Sequence, residues 1–255
     1  MIPKLKFEAN NDPDKMINMI NYFLIPSWNG FDWSGTFARN YPEFWELISK
    51  TEKPEEKIKI SLVYFKKLYL EKLDKMEEIA KDYQEEWDKN GTRLLTALSD
   101  IIEMQWPQDC SEIKSWIWLN PICPRYIEQR EFDLYWKKSS EEMKTTALHE
   151  ILHFIWFEKW KVVFPKYEKS EFNSPHLIWK LSEMVPLAIL SDSRIQNIFK
   201  HEPSVYNEWK SKQIDGKSLL EHLQDIYNKR ESFEDFMKKS WEFVKKNKEE
   251  INNIK

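Results

Sequence analysis

Residues 146–155 read Thr-Ala-Leu-His-Glu-Ile-Leu-His-Phe-Ile, and this stretch determines how the rest of the chain is interpreted. An α-helix has about 3.6 residues per turn, so His149 and His153 would lie on the same helical face. Two imidazoles with this spacing can bind one Zn²⁺. Glu150 would stand about 100° round the helix, where its carboxylate can reach a water on the metal. The stretch therefore predicts a helix that carries a hydrolytic zinc site.

The alternative is a chance pair of histidines in a core helix. With five histidines among 255 residues, an H-E-x-x-H pattern is expected by chance only about 0.01 times. Beside the histidines, apolar residues recur with helical spacing at Leu148, Ile151, Leu152 and Ile155. This pattern favours a helix that is anchored in a core and presents its imidazoles to a cleft.

The flanks of the motif resemble the extended signature of the zincin metallopeptidases, and the resemblance covers mainly residues 139–192. It rests on an uncharged residue before the first histidine and on apolar residues within and after the motif, namely Ala147, Ile151, Leu152, Phe154 and Ile155. The metzincin branch continues with Gly and a third His. Here Trp156 and Lys159 occupy those positions, so the resemblance excludes that branch.

A catalytic zinc needs a third protein ligand beside an open position for water. Glu183 is the acidic residue of the apolar segment 177–190, where a carboxylate is costly to bury without a partner such as a divalent cation. This arrangement is similar to the gluzincin, or thermolysin-like, branch, in which a Glu on a second helix completes the ligand set. Pro186 should kink that helix and could aim the carboxylate. The alternatives for Glu183 are an ion pair with Lys180 and exposure where the helix emerges.

Other polar residues downstream remain open for a role in the site. His176, Asp192 and His201 are reserve candidates for the third ligand. Asp192 would make the protein an Asp-zincin, or it could orient a ligating imidazole through a hydrogen bond. His201 and Tyr206 are candidate donors to the oxyanion of a tetrahedral intermediate, with surface or core packing as the alternative for both.

Composition excludes several classes of protein. The chain is 41% hydrophobic and 15% aromatic with four glycines, which favours a compact helical protein. Its net charge is −4, with basic and acidic residues interspersed, so no nucleic-acid surface is indicated. Cys110 and Cys123 lack C-x-x-C spacing and are expected to be reduced thiols. Without an apolar N-terminus or a run of ~20 apolar residues, we expect a cytoplasmic protein without a membrane partner.

Hydrophobic periodicity predicts most of the secondary structure. Apolar residues recur with helical spacing over residues 55–89 and predict one long helix. A left-handed Gly91 should end that helix, and a second helix should cover 92–104. Apolar alternation predicts short strands over 113–119 and 132–136, and a Ser139–Glu142 capping box should start the motif helix. Further predictions are an aromatic loop over 26–35 and helices over 218–228 and 232–248.

These patterns predict a predominantly helical α+β protein. We expect a helical half over 1–108 and a catalytic half over 109–255. The resemblance implies that the catalytic half is zincin-like, with a small antiparallel or mixed sheet before the motif helix and a sheet edge that pairs with an extended substrate.

The sequence predicts a zinc-dependent metallopeptidase. One Zn²⁺ per chain would be bound by His149, His153 and Glu183, with Glu150 as the general base and a peptide or protein as the substrate. Two alternatives remain: a helical interaction protein that binds zinc without catalysis, and a zinc hydrolase that acts on a non-peptide amide or ester. The oligomeric state is left open.

Overall fold

The computed structural model describes residues 1–25 and 32–253. Helices account for 61% of the protein, and the strands of the described residues form one small mixed sheet and one small antiparallel sheet. The predominantly helical α+β class is therefore confirmed. Within the described ranges, every helix is too short or too polar to cross a membrane. Of the predicted aromatic loop over 26–35, residues 26–31 lie outside the described residues.

The chain divides into two compact units, each assembled from separate segments. The first, here called the sheet unit, comprises Leu5–Trp87 and Lys114–Met143. The second, here called the motif unit, comprises Met1–Lys4, Asp88–Ile113 and Lys144–Lys255. The boundary expected at residue 108 stays a prediction, because compactness does not test which segment folds by itself.

Four helices lie in the part of the sheet unit that the structure describes. Their bounds are α1 Pro13–Leu24, α2 Ser34–Asn40, α3 Pro42–Ile48 and α4 Pro54–Asp88, the last of which runs one residue into the motif unit. Proline stands at the first turn of α1 and α3, where its missing N–H costs no hydrogen bond. Helix α4 confirms the predicted long helix, and it buries one stripe of side chains at intervals of mostly three and four residues: Phe65, Tyr69, Met76, Ala80, Tyr83 and Trp87.

The mixed sheet has the strand order β1-β2-β4-β3. Its strands are β1 Lys4–Ala9, β2 Glu112–Trp118, β3 Arg125–Tyr126 and β4 Glu131–Tyr135. Strands β2 and β4 pair in parallel, with Ile117 opposite Leu134, whereas β3 pairs antiparallel with β4. The two predicted strands are confirmed. Strand β1 was not predicted, although its alternating burial follows the Lys-Leu-Lys-Phe pattern of residues 4–7.

The prediction of a left-handed Gly91 is wrong. Gly91 is the first residue of α5, Gly91–Ile102, and Asn90 is the N-cap of that helix. With two residues between α4 and α5, the glycine has helical backbone and begins the next helix. The left-handed residue occurs at the other end of α5, where Glu103 has φ 53° and its N–H donates to Ser99 O.

The regular secondary structure of the motif unit is mostly helical. It contains α5, most of α6 Ser140–Val163, a 3₁₀ turn Lys169–Phe172, α7 Leu177–Met184, α8 Pro186–Leu190, α9 Ser193–Gln196, α10 Asn207–Ser211, a hairpin of β5 Gln213–Ile214 and β6 Lys217–Ser218, α11 Leu219–Asn228, α12 Phe233–Lys246 and α13 Lys248–Asn252. The hairpin turns at Asp215 and Gly216, both with positive φ, as a two-residue turn requires. The predicted helices over 218–228 and 232–248 are confirmed.

Helix α6 is the core of the motif unit. Apart from His149, every residue from Ala147 to Phe157 is buried, so the helix is enclosed on all sides rather than amphipathic. Trp156 packs edge-on against Phe233 and Phe236 of α12, with ring centroids 5.9 and 6.3 Å apart. This packing holds the motif helix rigidly within its unit.

Candidate metal centre

The predicted capping box at the start of α6 is confirmed. The Ser139 N–H donates to Glu142 Oε2 at 2.7 Å, and the Glu142 N–H donates to Ser139 Oγ at 3.2 Å. Hydrogen bonds from the Ser139 backbone and side chain lower the pKa of Glu142. A box of this kind satisfies two N–H groups that the first helical turn leaves unbonded, so the register of the motif helix is set locally.

Three donor atoms from two helices converge in the motif unit. The Nε2 atoms of His149 and His153 lie 3.1 Å apart. Glu183 Oε2 lies 3.3 Å from His149 Nε2, and Glu183 Oε1 lies 3.6 Å from His153 Nε2. Among the described residues, these three side chains form a group that could hold a metal ion.

The spacing of the three donors suits zinc. Zn–N and Zn–O bonds are about 2.0–2.1 Å long, so two ligands of a tetrahedral zinc stand about 3.3 Å apart. The 3.1 Å between the two imidazole nitrogens and the 3.3 Å from His149 Nε2 to Glu183 Oε2 are close to this value, and one donor atom from each of the three side chains lies within 4.8 Å of the others. Two imidazoles and one carboxylate are also the donor set of a catalytic zinc site that keeps its fourth position for water. The residues therefore fit zinc in both number and geometry.

Burial of the three side chains is unequal. The side chain of His153 is 0% exposed, that of Glu183 is 3% exposed and that of His149 is 15% exposed. A carboxylate this deeply buried is stabilised by a nearby cation. Because His149 is the most exposed of the three, the group is open to solvent on its side.

Glu150 follows His149 on α6 and is 7% exposed. It does not join the group of three donors among the described residues, which agrees with a helical position turned about 100° from His149. Its carboxylate is therefore not one of the three donor groups.

The alternative in which Glu183 pairs with Lys180 is contradicted. The Lys180 ammonium is buried and donates to Ile251 O at 3.0 Å and to Asn252 Oδ1 at 3.4 Å, both in α13. Desolvation lowers the pKa of this lysine. Lys180 therefore holds α7 to α13, and Glu183 is turned toward the histidines instead.

Pro186 separates two helices, as expected from its missing N–H. Helix α7 ends at Met184, and Pro186 stands in the first turn of α8. Glu183 consequently lies in the last turn of α7. The break after it leaves its side chain in the group with His149 and His153.

The reserve ligands lie elsewhere in the motif unit. His176 is exposed and is the N-cap residue of α7. Asp192 caps α9 and accepts two hydrogen bonds from the Arg194 side chain, at 2.8 and 2.9 Å, and one from Tyr227 Oη at 2.7 Å. These donors, led by Arg194, hold the pKa of Asp192 far below its usual range. Neither residue belongs to the described group of donors.

His201 is buried and held by its neighbours. Its Nδ1 lies 3.0 Å from Phe199 O, its ring stacks on Phe199 with centroids 4.7 Å apart, and its N–H donates to Gln196 Oε1. Gln196 Nε2 lies 3.4 Å from the same ring nitrogen, so the donor and acceptor roles of the ring depend on its tautomer.

Tyr206 is 37% exposed and stands edge-on to Trp209, with ring centroids 4.8 Å apart. It precedes α10 as its N-cap residue. Its role as an oxyanion donor, like that of His201, stays a prediction.

Sequence reasoning missed the residues that hold Asp192 and α7. Tyr227 and Arg230 lie 35 and 38 positions from Asp192, and no local pattern links them to it. The contact between Asp192 and Arg194 could have been found from the sequence, because the Ser-Asp-Ser-Arg pattern of residues 191–194 is typical of a helix N-cap.

No family model, curated protein or solved structure matches the chain. Function is therefore inferred from the chemistry of the site.

Proposed function

We propose that this protein is a zinc-dependent peptide hydrolase of the gluzincin type with a zincin-like fold. The observation that carries the proposal is the convergence of His149 Nε2, His153 Nε2 and the Glu183 carboxylate, with one donor atom from each side chain within 4.8 Å of the others. An H-E-x-x-H helix and a glutamate from a second helix supply the three donors, as the resemblance to this branch implies. One zinc ion per chain would occupy the site.

Each residue has a distinct part in the reaction. Zinc in such a site polarises a carbonyl and lowers the pKa of a water to about 7. His149, His153 and Glu183 would hold the ion and leave one position open. Glu150 would accept the proton of the attacking water and donate it to the leaving amine. The burial of Glu150 excludes bulk water that would otherwise compete for this proton.

Peptide substrates would bind at an edge of the mixed sheet. The mixed sheet ends in β1 and β3, and an edge strand can bind an extended peptide through main-chain hydrogen bonds. Such pairing would recognise a peptide with little dependence on its side chains. His201 and Tyr206 are the proposed donors to the oxyanion.

A peptide library tests the proposal directly. Zinc-loaded protein is incubated with the library with and without a chelator, and Glu150→Gln serves as the matched control because glutamine keeps the size but cannot accept the proton. We expect chelator-sensitive cleavage that falls about 10²- to 10⁴-fold in the variant, with zinc content unchanged.

Three outcomes contradict the proposal in different ways. Wild-type cleavage by zinc-loaded Glu150→Gln would disprove the mechanism. Stoichiometric zinc without any cleavage would favour a non-catalytic zinc protein. Cleavage of small amides or esters in a parallel panel, with peptides left intact, would favour the other class of hydrolase.

A further inference from the structure

Four aromatic rings form a continuous stack next to the metal centre. They belong to His153, Phe157, Phe172 and Tyr167, and this set is called the aromatic column. Its ring centroids are 6.2, 4.3 and 4.9 Å apart in that order, and the planes differ by 22°, 27° and 10°. The column begins at a proposed zinc ligand and runs into the segment that connects α6 to α7.

The inner end of the column is closely packed. Phe157 stands one helical turn after His153 on α6 and is 0% exposed, as is His153. Phe172 is 5% exposed. Because interiors are packed at the density of organic crystals, loss of a ring here leaves a gap that the neighbours must fill by moving.

Phe172 contacts α6 with its ring and belongs to a turn that packs against α7. The ring stacks on Phe157 of α6, and the 3₁₀ turn Lys169–Phe172 packs against α7, the helix of Glu183. A capping box fixes the turn, since the Glu168 N–H donates to Glu171 Oε2 at 2.8 Å. Together the turn and its phenyl ring can act as a spacer between α6 and α7.

We propose that Phe172 is a positioning residue of the metal centre. Through the aromatic column it sets the distance between α6 and α7, and thereby the 3.6 Å separation of His153 Nε2 from Glu183 Oε1. Phe172 also restricts rotation of the His153 ring indirectly. It stacks on Phe157, and Phe157 in turn stacks on one side of the His153 ring. This inference rests on the proposed metal site but not on catalysis.

The experiment compares three variants with the wild type. Phe172→Leu removes the spacer, Phe172→Tyr keeps the ring, and Phe233→Leu is the matched control, since Phe233 is 0% exposed and packs on Trp156 of the same helix but lies outside the column. Zinc affinity is measured by competition with a chelator. Co²⁺ substitution reports the ligand geometry through its visible absorption.

We expect Phe172→Leu to weaken zinc binding about 10-fold, the effect typical of residues that support metal ligands, and to change the Co²⁺ spectrum. Phe172→Tyr and Phe233→Leu should keep the wild-type affinity and spectrum. If Phe172→Leu does not fold, Tyr167→Leu at the half-buried outer end of the column should weaken zinc binding in the same direction by a smaller factor.

The inference would be overturned if Phe172→Leu and Tyr167→Leu had the same zinc affinity and the same Co²⁺ spectrum as the wild type. So would an equal loss in Phe233→Leu, because that result would reflect general destabilisation. A wild-type protein that binds neither Zn²⁺ nor Co²⁺ would refute the metal centre itself. A protein that binds zinc with the expected pattern and cleaves no substrate would refute the proposed hydrolase while leaving this inference intact.

Discussion

Glu183 and Asp192 are two acidic residues close together in sequence with opposite environments. Asp192 is an ion-paired helix cap whose oxygens accept hydrogen bonds from Arg194 and Tyr227. Glu183 is buried, and its carboxylate oxygens lie 3.3 and 3.6 Å from the imidazoles of His149 and His153. The two environments differ in the cation that stabilises the carboxylate. Arg194 forms an ion pair with Asp192, whereas Glu183 would bind a metal ion.

Measurements of zinc content in variants distinguish the proposed ligand Glu183 from Asp192. We expect the purified protein to carry about one zinc ion, and Glu183→Ala, His149→Ala or His153→Ala to lose tight binding, because a catalytic site uses three protein ligands. His176→Ala, Asp192→Ala and His201→Ala should retain the metal. Elemental analysis by mass spectrometry checks this. Retention by Glu183→Ala together with loss in Asp192→Ala would show that the ligand assignment is wrong.

Asp192 should contribute to stability in a pH-dependent way. Its pKa in the folded protein lies below the unfolded value, owing chiefly to Arg194, so its contribution is fully present above the unfolded pKa of about 3.9. The contribution is lost as pH falls toward the folded pKa. We expect wild type and Asp192→Asn to differ in unfolding free energy at pH 7 and to converge as the pH falls below about 4. Urea unfolding at several pH values measures the difference, and a gap independent of pH would contradict it.

Among the elements, α7 is one that depends on its neighbours. It has eight residues, and helices shorter than about 12 residues are marginal in isolation. Its packing partners include the 3₁₀ turn, α12 and α13, and the buried Lys180 joins it to α13. The position of Glu183 is thus set by elements that come before and after it in the chain.

Lys180→Met tests the junction between α7 and α13. Methionine fills a similar volume but cannot donate to Ile251 O, and a hydrogen bond from a charged donor contributes about 1.5–3 kcal/mol. We expect the unfolding free energy to fall by this amount while the zinc stoichiometry stays unchanged, because Lys180 does not contact the ligands. Chemical unfolding followed by circular dichroism measures the loss. An exposed lysine of α12, replaced in Lys238→Met, is the control, and an equal effect there would argue against the junction.

At the scale of the molecule, a bound zinc ion would join segments that are distant in sequence. His149 and Glu183 are 34 positions apart and lie on different helices of the motif unit. The unfolded chain does not hold them together, so zinc should bind the folded state far better than the unfolded state.

Zinc should therefore raise thermal stability. Free zinc at 100 times its dissociation constant adds about 2.7 kcal/mol to the unfolding free energy, which corresponds to about 5–11 °C in Tm for a chain of this size. Calorimetry with zinc and with excess chelator measures the shift. His149→Ala combined with His153→Ala should abolish it, and a zinc-dependent shift that persists in this double variant would contradict the site.

Local features of this protein could be read from its sequence. The helix around His149 and His153, its Ser139 capping box, α4 and the two inner strands all depend on spacings within a few residues. Such patterns follow from helical and extended geometry, which each segment adopts through its own backbone and side chains. The same geometry puts the two histidines on one face without any knowledge of the fold.

Tertiary structure decided what no local spacing contains. It brought Glu183 to the histidines, turned Lys180 toward α13, paired Asp192 with Tyr227 and Arg230, and stacked Phe172 on Phe157. Each of these contacts joins residues from different elements, so it depends on how helices pack rather than on where each one begins. Glu183 and Asp192 acquired different partners for this reason, because the imidazoles reach Glu183, and Tyr227 and Arg230 reach Asp192, only in the packed structure.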